Sequence, residues 1–116
     1  MEIYEDQDGK VRFYIAYSDK NLSTGILILE PHIELPKHNR PYLEQLIQVY
    51  GTCIIKLFDE NEVEEKTLKE KDSLEIPANK YHIHLNPTGE KSITMWKVEG
   101  DITPIIEKIR KTYKKI

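Results

Sequence analysis

Cysteine is almost absent from this 116-residue chain, and the single Cys53 rules out an intrachain disulfide. That usage suits a reducing compartment. No apolar run approaches the roughly 20 residues of a membrane-spanning helix. The N-terminal Met1-Glu2-Ile3-Tyr4-Glu5-Asp6 is acidic and lacks the apolar segment of a secretion leader. The expectation is therefore a cytoplasmic protein with no membrane contact. A basic excess is also missing: 17 Lys and Arg stand against 20 Asp and Glu, for a net charge of -3. A nucleic-acid groove needs a basic stripe, so none is expected. The one basic cluster, Lys108 to Lys115, falls at the end of a predicted helix, where cations favour the macrodipole. Linkers, internal repeats and low-complexity tracts are lacking. So are a Ser-His-Asp order, a phosphate loop and zinc-finger spacing. The length suits one domain, residues 1–116.

What the chain does have is a series of short β-type runs. Lys10 to Tyr17 alternates and is rich in aromatic and β-branched residues. Gly25 to Leu29 is a continuous apolar run of buried-strand length, and Ile33 to Leu35 resumes it after Glu30-Pro31-His32. Glu44 to Tyr50 and Thr52 to Phe58 flank a bend at Gly51. Asp59 to Glu62 reads as a hairpin turn, and the charged run Val63 to Leu68 as an edge strand. Leu74 to Ile76, Tyr81 to Leu85 and Ser92 to Val98 complete the set. A helix follows at about residues 103–115, with Thr103 as its N-cap and Pro104 at its first position. Its residues Ile105, Ile106, Ile109 and Tyr113 share one face, which must cover the barrel's outside or a partner subunit. Many short strands with turn punctuation predict an all-β sandwich or barrel.

Two stretches stand out. Pro36 to Gly51 places His38, Arg40 and Glu44 ahead of a strand that ends in a turn glycine. Ile76 to Asn86 places Pro77, Asn79, His82, His84 and Asn86 around another. Together they resemble the cupin motifs Gly-x5-His-x-His-x3-4-Glu-x6-Gly and Gly-x5-Pro-x-Gly-x2-His-x3-Asn. In the first, His38, Glu44 and Gly51 match, with Arg40 in the second-histidine slot. In the second, Pro77, His82 and Asn86 match, with Lys71 and Asn79 in the glycine slots. The resemblance spans about residues 25–98. It implies an all-β, cupin-type double-sheet jelly-roll β-barrel with one C-terminal amphipathic helix.

Cupins typically hold one divalent metal inside the barrel, and the resemblance carries that role to His38, Glu44 and His82. His84, two residues along the same strand, shares the face of His82 and supplies a further nitrogen. Imidazole and carboxylate suit Zn, Mn, Fe or Ni alike. Arg40 opposes a metal, because guanidinium has no lone pair to donate. Pointed inward, it suits a small anionic ligand instead. Tyr42 and Tyr50, with Tyr81 nearby, are candidates to line the barrel mouth. Cys53 reads as a small buried hydrophobe and His32 as a surface residue. Of Met95 and Trp96, one should face the core and the other the outside.

Three function classes follow from the resemblance. One is a small cupin binding a divalent metal, an anionic ligand or both. One is a sugar isomerase or epimerase using His38 or His82 as acid or base. The last is a degenerate cupin serving as sensor or scaffold without metal. Cupins commonly pair, so a homodimer is expected.

Overall fold

The computed structural model describes residues 1–116. Strands β1 (Glu2–Glu5), β2 (Val11–Ser18), β3 (Leu22–Leu29), β4 (Glu44–Tyr50), β5 (Cys53–Phe58), β6 (Val63–Leu68), β7 (Ser73–Ile76), β8 (His82–Leu85) and β9 (Ser92–Glu99) precede helix α1 (Thr103–Thr112) and the short β10 (Lys114–Lys115). They form two antiparallel sheets, one ordered β10-β1-β2-β3-β9-β4-β7 and the other β6-β5-β8. This is the predicted double-sheet jelly roll. The charged β6 does lie at a sheet edge.

Alternation decides what faces inward. Along β3, Ser23, Gly25, Leu27 and Leu29 are buried; along β4, Glu44, Leu46 and Gln48; along β9, Ser92, Thr94, Trp96 and Val98. Trp96 is thus inside and Met95 outside. Gly25 lies directly opposite Trp96 across the ladder, and a Cβ there would strike the indole and the backbone of Tyr14. The missing side chain makes room for the ring. Cys53 is fully buried, and burial pushes its thiol pKa up to about 11, so it is an inert core residue.

Several terminal features differ from the sequence-based expectation. The polar stretch before Asp6 contains β1, and the last lysines form β10 rather than more helix; each pairs with the other. Two side chains reinforce that tie, with Arg110 donating from Nε and Nη2 to the two carboxylate oxygens of Glu2 at 2.9 and 2.8 Å. Thr103 is the first helical residue, not the cap. Its N–H and hydroxyl both donate to Asp101 Oδ1, at 3.0 and 2.5 Å. Ile33 to Leu35 makes a bridge rather than a named strand. The apolar face of α1 covers its own barrel. Ile102 and Ile106 are buried, and Ile105, Ile109 and Tyr113 pack against the core.

Only three non-glycine residues adopt positive φ: His32 (62°), Lys71 (75°) and Asn79 (65°). Lys71 and Asn79 occupy glycine slots of the second motif. His32 stands six residues before His38, where the first motif begins with glycine. The backbone therefore makes glycine-type turns with residues that carry a Cβ. A residue with a Cβ pays roughly 1 kcal/mol at such a position. Replacing Lys71 by glycine removes that strain but frees the unfolded chain by about 0.4–1 kcal/mol. Lys71→Gly is thus expected to change stability by less than about 0.5 kcal/mol. A denaturant-midpoint loss well beyond 1 kcal/mol would contradict a strained turn at this position.

Candidate metal centre

Three backbone ladders bring the site together. Chain from Ile33 to His38 runs antiparallel to β8: Asn86 N–H donates to Ile33 O at 2.9 Å and Leu35 N–H to His84 O at 2.9 Å. His38 and His82 exchange N–H···O bonds of 3.0 and 2.8 Å. The first motif's histidine is thereby sewn to the second motif's strand. His82 and His84 point to the same inner face of β8, opposite Leu57 and Ile55 of β5. Glu44 enters from the other sheet, between Val98 of β9 and Ile76 of β7.

The three imidazoles converge, with one nitrogen of each lying within 4.8 Å of the others. Their ring centroids are 4.3 Å apart for His38 and His82, 5.4 Å for His38 and His84, and 5.2 Å for His82 and His84. His38 Nδ1 lies 2.8 Å from Pro36 O, and His82 Nδ1 lies 2.8 Å from Lys80 O. A carbonyl only accepts, so both Nδ1 atoms carry the proton and both Nε2 atoms keep a lone pair in the neutral ring. Such carbonyl anchoring is how metal-binding histidines are oriented. Glu44 Oε2 and His82 Nε2 are 3.2 Å apart without hydrogen-bond geometry. Both atoms, and His84 Nδ1, are buried with no hydrogen-bond partner. Buried polar atoms in this condition are costly unless something else satisfies them. A cation bound among Glu44, His38, His82 and His84 would do so.

The electrostatics keep lone pairs available. Burial, with the charge of Arg40 and then the neighbouring His82, pushes the His38 pKa down to about 4. Burial pushes His84 down to about 3, against the opposing charge of Glu44. Burial alone would raise Glu44. Its contact with His82 and the charge of Arg40 outweigh that, leaving it at about 2. These shifts make the metal-free fold acid-sensitive. An unfolded histidine protonates near 6.5, whereas the folded His38 and His84 stay neutral down to about 4 and 3. Stability from this source is complete above pH 6.5 and is lost as pH falls below it, by roughly 2 kcal/mol per histidine at pH 5. Glu44 adds a further loss below about 4.5. Guanidinium unfolding of metal-free protein is expected to show a lower midpoint at pH 5 than at pH 8; equal midpoints would contradict the shifts.

A cavity of about 40 Å³ adjoins the cluster, lined by His38, Arg40, Glu44, His84 and Thr94 on its polar side and by Leu27, Leu46, Val98 and Ile106 among its apolar walls. Arg40 does turn inward, and burial lowers its pKa. Tyr42 and Tyr50 lie outside this lining. The Tyr42 ring packs on Gly100, and Tyr50 is exposed at the end of β4. Tyr81 is exposed near Lys37, which sits over the Phe58 ring. His32 is exposed.

Sequence reasoning gave no role to several buried polar residues. Gln48 donates to Ser92 Oγ at 2.9 Å and accepts from Thr94 Oγ1 at 2.6 Å, a satisfied polar plug deep in the barrel. Trp96 lines the cavity and its indole N–H has no acceptor. Alternation could have flagged Gln48, since Glu44, Leu46 and Gln48 share the inward face.

No protein-family model and no curated protein matches the chain by sequence. Solved structures do match by shape. A cupin superfamily protein from Desulfitobacterium hafniense superposes with a TM-score of 0.69 at 14% identity, covering 84% of this chain and 81% of that one. The CENP-C cupin domain of Drosophila melanogaster gives 0.68 at 17% identity, over 82% and 73%. Oxalate oxidase, in complex with the substrate analogue glycolate, gives 0.65 at 14% identity over 69% of this chain. The chain matches only 42% of that enzyme's length. What proteins of such low mutual identity share is a path of the backbone, and the path this chain follows is the cupin fold.

Proposed function

We propose that the chain binds one divalent transition-metal ion inside the barrel through His38, Glu44, His82 and His84. The observation that carries the proposal is the convergence of three imidazoles, with Glu44 Oε2 3.2 Å from His82 Nε2, and the lack of protein partners for the buried Glu44 Oε2, His82 Nε2 and His84 Nδ1. Zn, Mn, Fe and Ni all suit that donor set. Such an ion, when bound, acts as a Lewis acid and acidifies a water that it holds. The protein's part is to hold imidazole lone pairs in place through the carbonyls of Pro36 and Lys80 and to keep bulk water out. Metal titration of the purified protein, with His38 and His82 replaced by alanine as the control, tests the proposal.

The interior has room for roughly two or three water molecules. A pyranose ring does not fit there, which weighs against a sugar isomerase or epimerase. A metal-free sensor or scaffold is the outcome if no ion binds.

We also propose a homodimer. The apolar face of α1 is already used within the chain, so it does not supply the interface. The outer face of the larger sheet does: Tyr14, Ile26, Met95 and Ile47 stand in register across four neighbouring strands. Ile47 is 49% exposed and Met95 44%. Contiguous apolar surface of this kind marks interaction sites. Sedimentation at micromolar concentration is expected to give a dimer, and Ile47→Lys with Met95→Lys a monomer. A monomeric wild type would refute the assembly.

A further inference from the structure

We infer that the barrel takes a small monocarboxylate, with its carboxylate on the Arg40 guanidinium and its apolar part along a vestibule beneath α1. Arg40 forms no ion pair with any carboxylate of the chain. Its side chain makes a single hydrogen bond, from Nη1 to Asn39 O at 3.0 Å. Guanidinium has five N–H donors in a planar fork, so most are uncommitted. An incoming carboxylate would take up donors that the protein leaves free.

Arg40 stands at a junction. It lines the inner cavity with His38 and Glu44, and it lines an outer vestibule of about 330 Å³. Phe13, Leu35, Ile105 and Ile109 give that vestibule apolar walls. Lys37 and Lys108 are its other charged groups, and no acidic side chain lines it. An anion entering from outside therefore meets cations, apolar surface and a few neutral polar groups, Asn39, Thr112 and Tyr113 among them, but no carboxylate before Arg40. On the cavity wall, the Trp96 indole N–H adds a donor without an acceptor.

The chemistry favours carboxylate over phosphate. One guanidinium matches one negative charge, and its fork fits a planar carboxylate bidentately. A dianion would be repelled by Glu44, which shares the cavity. The apolar walls select a ligand with a hydrocarbon part. The inference rests on the metal proposal only for its coupling. A dication, one carboxylate and one guanidinium leave two positive charges in the site, so metal and carboxylate should each tighten the other's binding.

Calorimetric titration with acetate, propionate, butyrate and inorganic phosphate, on metal-free and zinc-loaded protein, tests this. Affinity is expected to rise roughly two- to four-fold per methylene and to be higher with zinc. Arg40→Gln is expected to weaken butyrate binding by about ten-fold or more in both forms while leaving zinc binding intact. Arg40→Lys should fall between the two. Trp96 is the only tryptophan, so its indole N–H gives one NMR signal in the wild-type protein. That signal is expected to shift on butyrate titration, whether or not the Arg40 variants fold. Phosphate binding as tightly as butyrate, an unmoved indole signal, or butyrate affinity indifferent to Arg40→Gln would overturn the inference. Failure of zinc to bind would sink the metal proposal alone, because the metal-free titrations still decide this one.

Discussion

Asn86→Ala is expected to remove about 3 kcal/mol or more of stability, a large part of the total for a domain of this size. The side chain is fully buried between three segments. Its amide nitrogen lies 3.1 Å from Leu29 O, 3.1 Å from Glu30 O and 2.6 Å from Glu90 O. Its Oδ1 accepts from the Thr88 N–H at 3.0 Å and the Thr88 hydroxyl at 2.9 Å. A net hydrogen bond is worth about 1 kcal/mol, and buried partners left bare cost more. Asn86→Asp should be at least as harmful despite equal size. It loses every donor and sets a carboxylate against three carbonyl oxygens. Because its amide holds Leu29 O and Glu30 O, just ahead of the segment that leads to His38, the loss should loosen that segment. Chemical denaturation checks the magnitude. A loss below about 1 kcal/mol for both variants would mean that the amide is not the staple described.

The second large effect is expected from metal. An ion that binds only the folded chain stabilises it by about 4 kcal/mol at a thousand-fold excess over Kd. Thermal or denaturant unfolding should show that gain with a transition-metal ion that suits the donor set. The gain should vanish in His38→Ala, His82→Ala. Since His38 and His84 are held neutral well below pH 7, it should change little from pH 6.5 to 8 and decline in acid, as protons compete for the same lone pairs. An equal gain in the double variant would place the metal elsewhere.

The strands around the motifs were legible because alternation and turn chemistry agree there. β4 reads Glu-Gln-Leu-Ile-Gln-Val-Tyr with its inward set at every second residue, and Gly51 ends it with a backbone that glycine favours. The spacing of the histidines and Glu44 was legible for the same reason, since β8 fixes His82 and His84 on one face. β1 and β10 were not. Both are short, β10 at the edge of the larger sheet and β1 beside it, held by backbone pairing and by Arg110 against Glu2 across most of the chain's length. No local pattern encodes that contact. The helix start was misplaced by one residue because an Asp101–Thr103 side-chain turn resembles a threonine cap in sequence. His32 reads as a surface residue and is one, but its place in a glycine slot shows only once its φ is known. Arg40 was legible as a residue type, but its direction was not. Only the fold turns it inward, among apolar walls and without an ionic partner.

Whether the barrel holds a metal ion decides what its histidines are for. Elemental analysis of the purified protein, as isolated and after incubation with Zn, Mn, Fe and Ni salts followed by removal of excess, tests metal binding most directly. The expected result is about one transition-metal ion per chain for the wild type and essentially none for His38→Ala, His82→Ala. Finding no retained metal under any of these conditions, or an equal amount in the double variant, would contradict it.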